Sequence, residues 1–330
     1  MLPIDLAEAR FALSTVRRAA LLVRQIQNEL VLSAQTKVDR SPVTVADYAS
    51  QALTARLLAE AFPDDRLVAE EDATSLRQEA QTALRQQVAR YVRLSLKEAT
   101  SERVCEWIDW GAAEPGGRFW TLDPLDGTKG FLRGDQYAVA LALVEAGQVQ
   151  VAALGCPNLS DGCQPDHGGP GSLILAARGR GCWITNLQSP GEFRRLHVSP
   201  QGDPAYARLL RSFEKGHTNP EQVEALQDAL GLRCEPVAMD SQAKYALLAA
   251  GQAELMVRLL SPARPDYREK IWDQAAGALI VEEAGGTVTD LDGKALDFNA
   301  GRTLVSNRGV LASNGRLHAQ ALQALRSLGF

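Results

Sequence analysis

The sequence is poor in the residues from which disulfide frameworks and soft-metal sites are made. It has five cysteines, at positions 105, 156, 163, 182 and 234, and no C-x-x-C pair. That odd, scattered set argues against a disulfide framework or a zinc site, and fits buried thiols in a reducing cytoplasm. Only four histidines are present, and Cys163 with His167 does not make a metal pattern. No run of about 18 apolar residues occurs, so no membrane-spanning helix is expected. Asp5, Glu8 and Arg10 interrupt the apolar residues of positions 1–30, unlike a secretory signal. There is no block of like charge, and the net charge is −5, which argues against a nucleic-acid partner. No internal repeat or low-complexity segment stands out. What is there is ordinary for a soluble globular chain: 330 residues, 45% hydrophobic and 23% charged, enough for one large or two medium domains. An acidic chain that takes a small anionic substrate needs local basic residues or a metal to hold it.

One stretch organises the rest: Trp120-Thr121-Leu122-Asp123-Pro124-Leu125-Asp126-Gly127-Thr128-Lys129-Gly130. Residues 119–122 read as a short apolar strand arriving from the interior. Pro124 lacks a backbone N–H and is expected to stop the ladder, and Gly127 permits a tight turn and close approach to a ligand. Asp123 and Asp126 then stand three apart on a rigid turn, where two carboxylates repel unless a cation lies between them. Oxygen ligands on a stiff loop suit Mg²⁺, which binds through a few carboxylates, waters and substrate phosphate. Thr128 adds a hydroxyl, and the N–H groups after Gly127 can receive a phosphate oxygen. An unliganded turn is the competing reading, because Asp, Pro and Gly also dominate ordinary turns.

Along the chain, apolar spacing predicts a long amphipathic helix over 2–31, a polar loop over 35–44, and a second helix over 43–62. The loop reads as a connector or as a lid beside a site. Thr44 and Asp47 have the spacing of a helix cap. A strand at 66–69 leads into Glu70 and Glu71, acids just beyond a strand end. Residues 72–100 read as helical and 102–117 as a polar connection. A hairpin is expected from 136–145 and 148–154, then a Gly/Pro-rich loop over 157–171 that marks a join between two halves, 1–157 and 158–330. The second half reads as strands at 172–177, 181–184, 195–198, 209–213, 253–259, 287–289 and 302–306. Helices are expected at 220–230, 241–250, 273–283 and 310–328. Asp273 at a helix start reads as an N-cap on spacing alone, a role compatible with a metal bond from its other oxygen.

Three acidic motifs, Glu70-Glu71, Asp123-Pro124-Leu125-Asp126-Gly127-Thr128 and Trp272-Asp273, together resemble those of the lithium-sensitive, magnesium-dependent phosphatases of the inositol monophosphatase superfamily. The 3′(2′),5′-bisphosphate nucleotidase branch is the nearer likeness, through Ser41-Pro42-Val43-Thr44 with Asp47, Lys129 to Gly134, Asp240-Ser241-Gln242-Ala243-Lys244-Tyr245 and Tyr267 to Asp273. The resemblance spans about residues 5 to 325; Ala69 stands where a glycine is common. It implies a layered αβαβα sugar-phosphatase fold of α/β class, with an α+β first half and an α/β second half. It implies hydrolysis of the 3′-phosphate of adenosine 3′,5′-bisphosphate, and related action on its phosphosulfate analogue, with about two or three Mg²⁺ ions and inhibition by Li⁺.

By the same resemblance Glu70, Asp123, Asp126, Asp273 and the Leu125 carbonyl hold metal. Glu71 or Glu70 positions a water, and Asp47 orients the Thr128 hydroxyl. Gly127 and Thr128 hold phosphate oxygens. Ser241, Lys244, Arg258, Tyr267 and His217 line the nucleotide pocket, cations suiting a second phosphate and an aromatic or imidazole a purine. The implied partner is a small nucleotide bisphosphate, taken by a monomer with no nucleic-acid or membrane partner. The competing functions are an inositol or other sugar phosphatase of the same superfamily, and a nucleotide-binding sensor without turnover. The presence of every expected acid and of Thr128 argues against the sensor.

Overall fold

The computed structural model of the chain describes residues 2–31, 41–213, 219–261 and 264–330, with residues 31 and 41–43 in backbone only. It opens with helix α1 (Ala7–Ile26), which gives way to a π-helical turn at Gln27–Val31 instead of one unbroken helix. Helix α2 (Ser41–Ala61) begins earlier than its cap signal suggests, so Thr44 lies inside the helix rather than at its cap. Residues 35–40 of the expected lid lie outside the described residues. Strand β1 (Arg66–Ala69) follows as expected. Residues 72–78 are turns and not helix; the helix there, α3, is confined to Thr82–Arg93. The polar connection expected after it contains helix α4 (Ser101–Asp109), capped by the Thr100 hydroxyl, which accepts from the Arg103 N–H at 3.3 Å. Nine residues are too few to display a helical period clearly.

Strand β2 (Arg118–Asp126) runs through Pro124 instead of stopping at it. The missing donor is absorbed by an irregularity in the pairing between Asp123 and Asp126, which is where a proline is tolerated in a sheet. After the short helix α5 (Thr128–Arg133) come β3 (Ala138–Glu145) and β4 (Gln148–Cys156). They form the expected hairpin, and Ala146 and Gly147 both turn with positive φ, 49° and 77°, as a two-residue hairpin loop requires. A ribbon of β5 (Leu159–Ser160) and β6 (Gln164–Pro165) interrupts the loop that follows.

Strands β7 (Ser172–Ala177), β8 (Gly181–Asn186) and β9 (Arg194–Leu196) then extend the first sheet, whose order is β1-β2-β3-β4-β7-β8-β9. The strands therefore do not part at 157–158; the sheet boundary falls after Leu196. The second sheet contains β10 (Leu209–Arg211), β11 (Val237–Ala238), β12 (Leu255–Arg258), β13 (Thr287–Thr289) and β14 (Val310–Ser313), in the order β11-β10-β12-β14-β13. Its helices are α6 (Pro220–Leu230), α7 (Ala243–Ala249), α8 (Ala275–Glu283) and α9 (His318–Ser327). Two expectations fail here. Residues 302–306 contribute a single bridge, Thr303 to Lys270, and no strand. The start of the expected final helix is β14, because Val310, Leu311 and Ala312 fill the slot between β12 and β13.

Period-two alternation explains the layering. In β3, Val139, Leu141 and Leu143 face the core under α1 and α2, while Ala138, Ala140 and Ala142 face the core that holds α8. In the second sheet, Met256 and Ala312 face that same central core, whereas Leu255, Val257 and Leu311 face α6 and α9. The result is helix, sheet, helix, sheet, helix, the expected αβαβα order. The centre accommodates α8 because small residues meet there. At Gly277 an added Cβ would lie 2.1 Å from the Tyr245 ring, an overpacking of the kind that costs about 1–3 kcal/mol. All five cysteines are free; Cys105, Cys156 and Cys182 are buried, but Cys163 and Cys234 are only partly so. No helix among the described residues is long and apolar enough to cross a membrane.

Candidate active site

Strand register brings the first acids together. β1 and β2 are parallel, with Ala69 beside Leu122, so Glu70, just past the end of β1, comes beside Asp123 in β2. Each acts on the other's proton affinity. Asp123 Oδ1 also accepts from the Leu125 N–H at 3.1 Å, across Pro124. Asp126 emerges from the irregular end of β2, and its Oδ2 accepts from the Gln242 N–H at 2.6 Å. Asp273 arrives from the other side, ahead of α8. It is not the helix cap, since Gln274 occupies that position.

These side chains border one cavity of about 280 Å³. Glu70, Asp123, Leu125, Asp126 and Asp273 border it, as do Gly127 and Thr128. Ser241, Lys244, Arg258 and Tyr267, from the expected nucleotide pocket, border it too. Asp47 is buried and, with Glu71, belongs to the same electrostatic cluster behind Glu70, though neither lines the cavity. No direct hydrogen bond joins Asp47 to Thr128 among the described residues. His217 lies outside the described residues.

The acidic end carries strong like-charge repulsion. Burial, then Glu71 and Asp126, push Glu70 up to about 7. Burial and the neighbouring acids, Glu70 first, hold Asp123 well above the usual carboxylate range, and burial followed by Asp126 does the same to Asp273. Asp126 is also raised by burial, but Lys244 and the Gln242 N–H oppose the rise. Asp47 is raised by burial and then by Glu71 and Glu70. The opposite end is basic. Burial and then Arg258 push Lys244 down to about 8. Lys244 Nζ donates to the carbonyls of Met239 and Ser241 at 3.2 and 3.0 Å, which leaves one of an ammonium's three donors. Arg258 forks onto Glu269 at 2.8 and 3.2 Å. Tyr267 is pushed up to about 12 by burial and Glu269.

The glycines of the motif are set by close approach. Gly127 has φ 90°, and a Cβ there would lie 2.8 Å from Cβ of Ser241. Ser241 itself takes the left-handed conformation, φ 63°, uncommon for a non-glycine residue and frequent at functional sites. A Cβ on Gly130 would lie 2.1 Å from the Gln136 carbonyl oxygen.

Several residues that support the site escaped the sequence reading. Gln51, one helical turn after Asp47, pins the Glu71 backbone from both sides: Nε2 donates to its carbonyl at 2.6 Å and Oε1 accepts its N–H at 3.0 Å. Arg302 donates to the carbonyls of Ala69 and Ala113 and stacks on Trp272, 4.9 Å from the ring centroid. Gln274 accepts from Tyr245 and donates to Glu269 at 2.9 Å. Asp240 lines the cavity and is paired to Arg133. The Gln242-to-Gly277 and Gln274-to-Tyr245 contacts carry no short-range signal, because each joins residues about thirty apart or more.

Among the described residues no group of three or more His, Cys, Asp and Glu side chains stands in a metal-holding geometry. The donor chemistry nevertheless suits a hard divalent cation. Four acids, Glu70, Asp123, Asp126 and Asp273, converge with raised proton affinity, and the bonds to Leu125 and Gln242 each engage one carboxylate oxygen. A proton relieves the repulsion here as a cation would. One consequence concerns pH. Glu70 holds its proton up to about 7 in the folded chain, and loses it near the ordinary carboxylate range when unfolded. Between those values the folded state binds more protons, so stability falls as pH rises. The thermal midpoint of the chain in a chelator is expected to fall from pH 5 to pH 7.5, and added Mg²⁺ is expected to restore more of it at the higher pH. A midpoint that rose over that window would contradict the coupled acids.

A model described as the inositol monophosphatase family matches residues 5–329. The chain is 41% identical to the 3′(2′),5′-bisphosphate nucleotidase of Schizosaccharomyces pombe, over 96% of this chain and 94% of the other. It is 40% identical to the 3′(2′),5′-bisphosphate nucleotidase of Emericella nidulans, over 95% of this chain and 96% of the other. Among solved structures, an inositol monophosphatase from Zymomonas mobilis is similar with a TM-score of 0.63, covering 97% of each chain at 21% identity. That last likeness is one of fold.

Proposed function

Because this chain belongs to the inositol monophosphatase family, we propose that it is a phosphomonoesterase that removes the 3′-phosphate of adenosine 3′,5′-bisphosphate, with the phosphosulfate analogue as a further substrate. The observation that carries the reading is the polarity of the cavity. Converging acids border it together with the buried Lys244 and the partly buried Arg258. A substrate with two phosphates satisfies both: one phosphate beside the acids with their metal, the other beside Lys244. Relatives named as bisphosphate nucleotidases support the same substrate class.

Glu70, Asp123, Asp126, Asp273 and the Leu125 carbonyl would hold Mg²⁺, as about two or three ions. When bound, the metal supplies charge neutralisation and lowers the pKa of a water. The rest falls to the chain. The N–H groups of Gly127 and Thr128 hold phosphate oxygens as charge moves onto them. Asp47 and Glu71, both kept protonatable by burial, are placed to accept a proton behind Glu70. In this reading Asp47 orients the Thr128 hydroxyl. Ser241 and Tyr267 border the space left for the nucleoside, and His217 is assigned to the same pocket. The chain acts as a monomer in the cytoplasm, without nucleic-acid or membrane partners.

The test is phosphate release from adenosine 3′,5′-bisphosphate, inositol 1-phosphate and fructose 1,6-bisphosphate with Mg²⁺, then with Li⁺ added. Preference for the nucleotide with inhibition by Li⁺ is expected. Preference for inositol phosphate would keep the metal site and remove the nucleotide assignments. Lys244→Met should raise KM for the bisphosphate about 10–100-fold, the value of a charged hydrogen bond, and leave a monophosphate ester nearly unaffected. Equal losses on both would place Lys244 outside the second-phosphate site.

A further inference from the structure

We propose that Gln242 is a positioning residue that ties the substrate-binding segment to two acids of the metal site; the inference rests on the reading above. Its backbone N–H donates to Asp126 Oδ2 at 2.6 Å. Its side-chain Nε2 donates to the Trp272 carbonyl at 3.0 Å, immediately before Asp273. Its Oε1 accepts from the Gly277 N–H at 3.1 Å, in the first turn of α8. One buried amide residue, 2% exposed, thus touches the Asp126 carboxylate and both sides of Asp273. It also follows Ser241, whose left-handed backbone turns the chain so that the Gln242 N–H meets Asp126.

The chemistry suits this task. A primary amide donates and accepts at once without adding charge, and a further carboxylate here would aggravate the repulsion among the acids. Gln242 also opens α7, which carries Lys244. A displacement of the Ser241–Lys244 segment is therefore transmitted to Trp272 and Asp273 through two hydrogen bonds, beside the packing of Tyr245 on Gly277. Losing partners that orient metal ligands commonly weakens metal affinity 10–100-fold.

The experiment compares the wild type with Gln242→Met, which keeps volume and the backbone N–H but removes both side-chain bonds, and with Gln242→Glu, which keeps an acceptor for Gly277 and loses the donor to Trp272. Mg²⁺ binding is measured by calorimetry without substrate, and the Mg²⁺ concentration for half-maximal rate with it. Weakening of about tenfold is expected in Gln242→Met, with most of the maximal rate recovered at saturating Mg²⁺. Gln242→Glu should also require more Mg²⁺ than the wild type. Unchanged Mg²⁺ affinity in both variants overturns the inference. A rate that no Mg²⁺ concentration restores also overturns it, since that is the mark of general structural damage. A wild type that binds no Mg²⁺ removes the metal reading itself, and this inference with it.

Discussion

Replacing Asp123 with asparagine should lower phosphate release by at least about 10²–10³-fold, the range lost with one electrostatic contact to a transition state, while making the metal-free chain harder to unfold. The two effects have opposite signs for one reason. Asp123 is buried among Glu70, Asp126 and Asp273, each of which raises its proton affinity. Asparagine keeps an oxygen to accept the Leu125 N–H and adds an NH₂ to donate to Glu70, so the turn over Pro124 survives. Asparagine is neutral without a proton, so the metal-free fold no longer has to hold a carboxyl protonated among Glu70, Asp126 and Asp273. With Mg²⁺ present the carboxylate charge is missing from the ligand set, and the thermal midpoint should respond less to the ion. Thermal scans with chelator and with Mg²⁺, beside an assay on adenosine 3′,5′-bisphosphate, measure both effects. Near-normal Mg²⁺-dependent turnover would sink the ligand role of Asp123.

The second large effect is on stability. Gly130→Ala would place a methyl group 2.1 Å from the Gln136 carbonyl oxygen and 3.1 Å from Asp240 Oδ2. The first neighbour is backbone at the start of the β3 hairpin and cannot swing aside. The Gly130 carbonyl also accepts from the Asp135 N–H at 2.8 Å, closing the same turn. Relief requires separating α5 from β3, which moves Gly127 and Thr128 off the cavity. A loss of about 3 kcal/mol is expected, the upper end of ordinary overpacking, with activity falling alongside. It would appear as a lower urea midpoint at an unchanged slope. A change below about 0.5 kcal/mol, the scale of a neutral surface substitution, would mean that the turn is looser than its contacts imply.

Much of the site was legible because its acids sit where local sequence is loud. Asp123, Pro124, Asp126 and Gly127 bring turn residues to the end of an apolar run, and Glu70 follows the apolar Leu67-Val68-Ala69 of a four-residue strand. Their meeting was not legible from periodicity; it depends on the parallel pairing of Ala69 with Leu122. The supports were silent for a different reason. Gln51, Gln242 and Arg302 act on backbone groups of distant residues, and a glutamine inside a helical or turn pattern looks the same whether it clamps a carbonyl or faces solvent. The fold misreadings share a cause. Pro124 reads as a strand breaker until the partner strand is known to shift register around it. Residues 310–313 read as the start of a helix until the gap between β12 and β13 is known to need a strand. In both places long-range pairing overrides local propensity.

The continuity of the first sheet past residue 157 bears on how the chain can be divided. β4 is paired on one side with β3 and on the other with β7. A fragment ending at 157 would present the whole free border of β4, including the apolar residues Val151, Ala153 and Leu154, as an open template for another chain. The same cut would strip α8 from the alanine face of β3. Fusion points therefore belong at a chain end, and domain insertions in the exposed loop at 189–192, where an uncut chain lets every strand keep its neighbours.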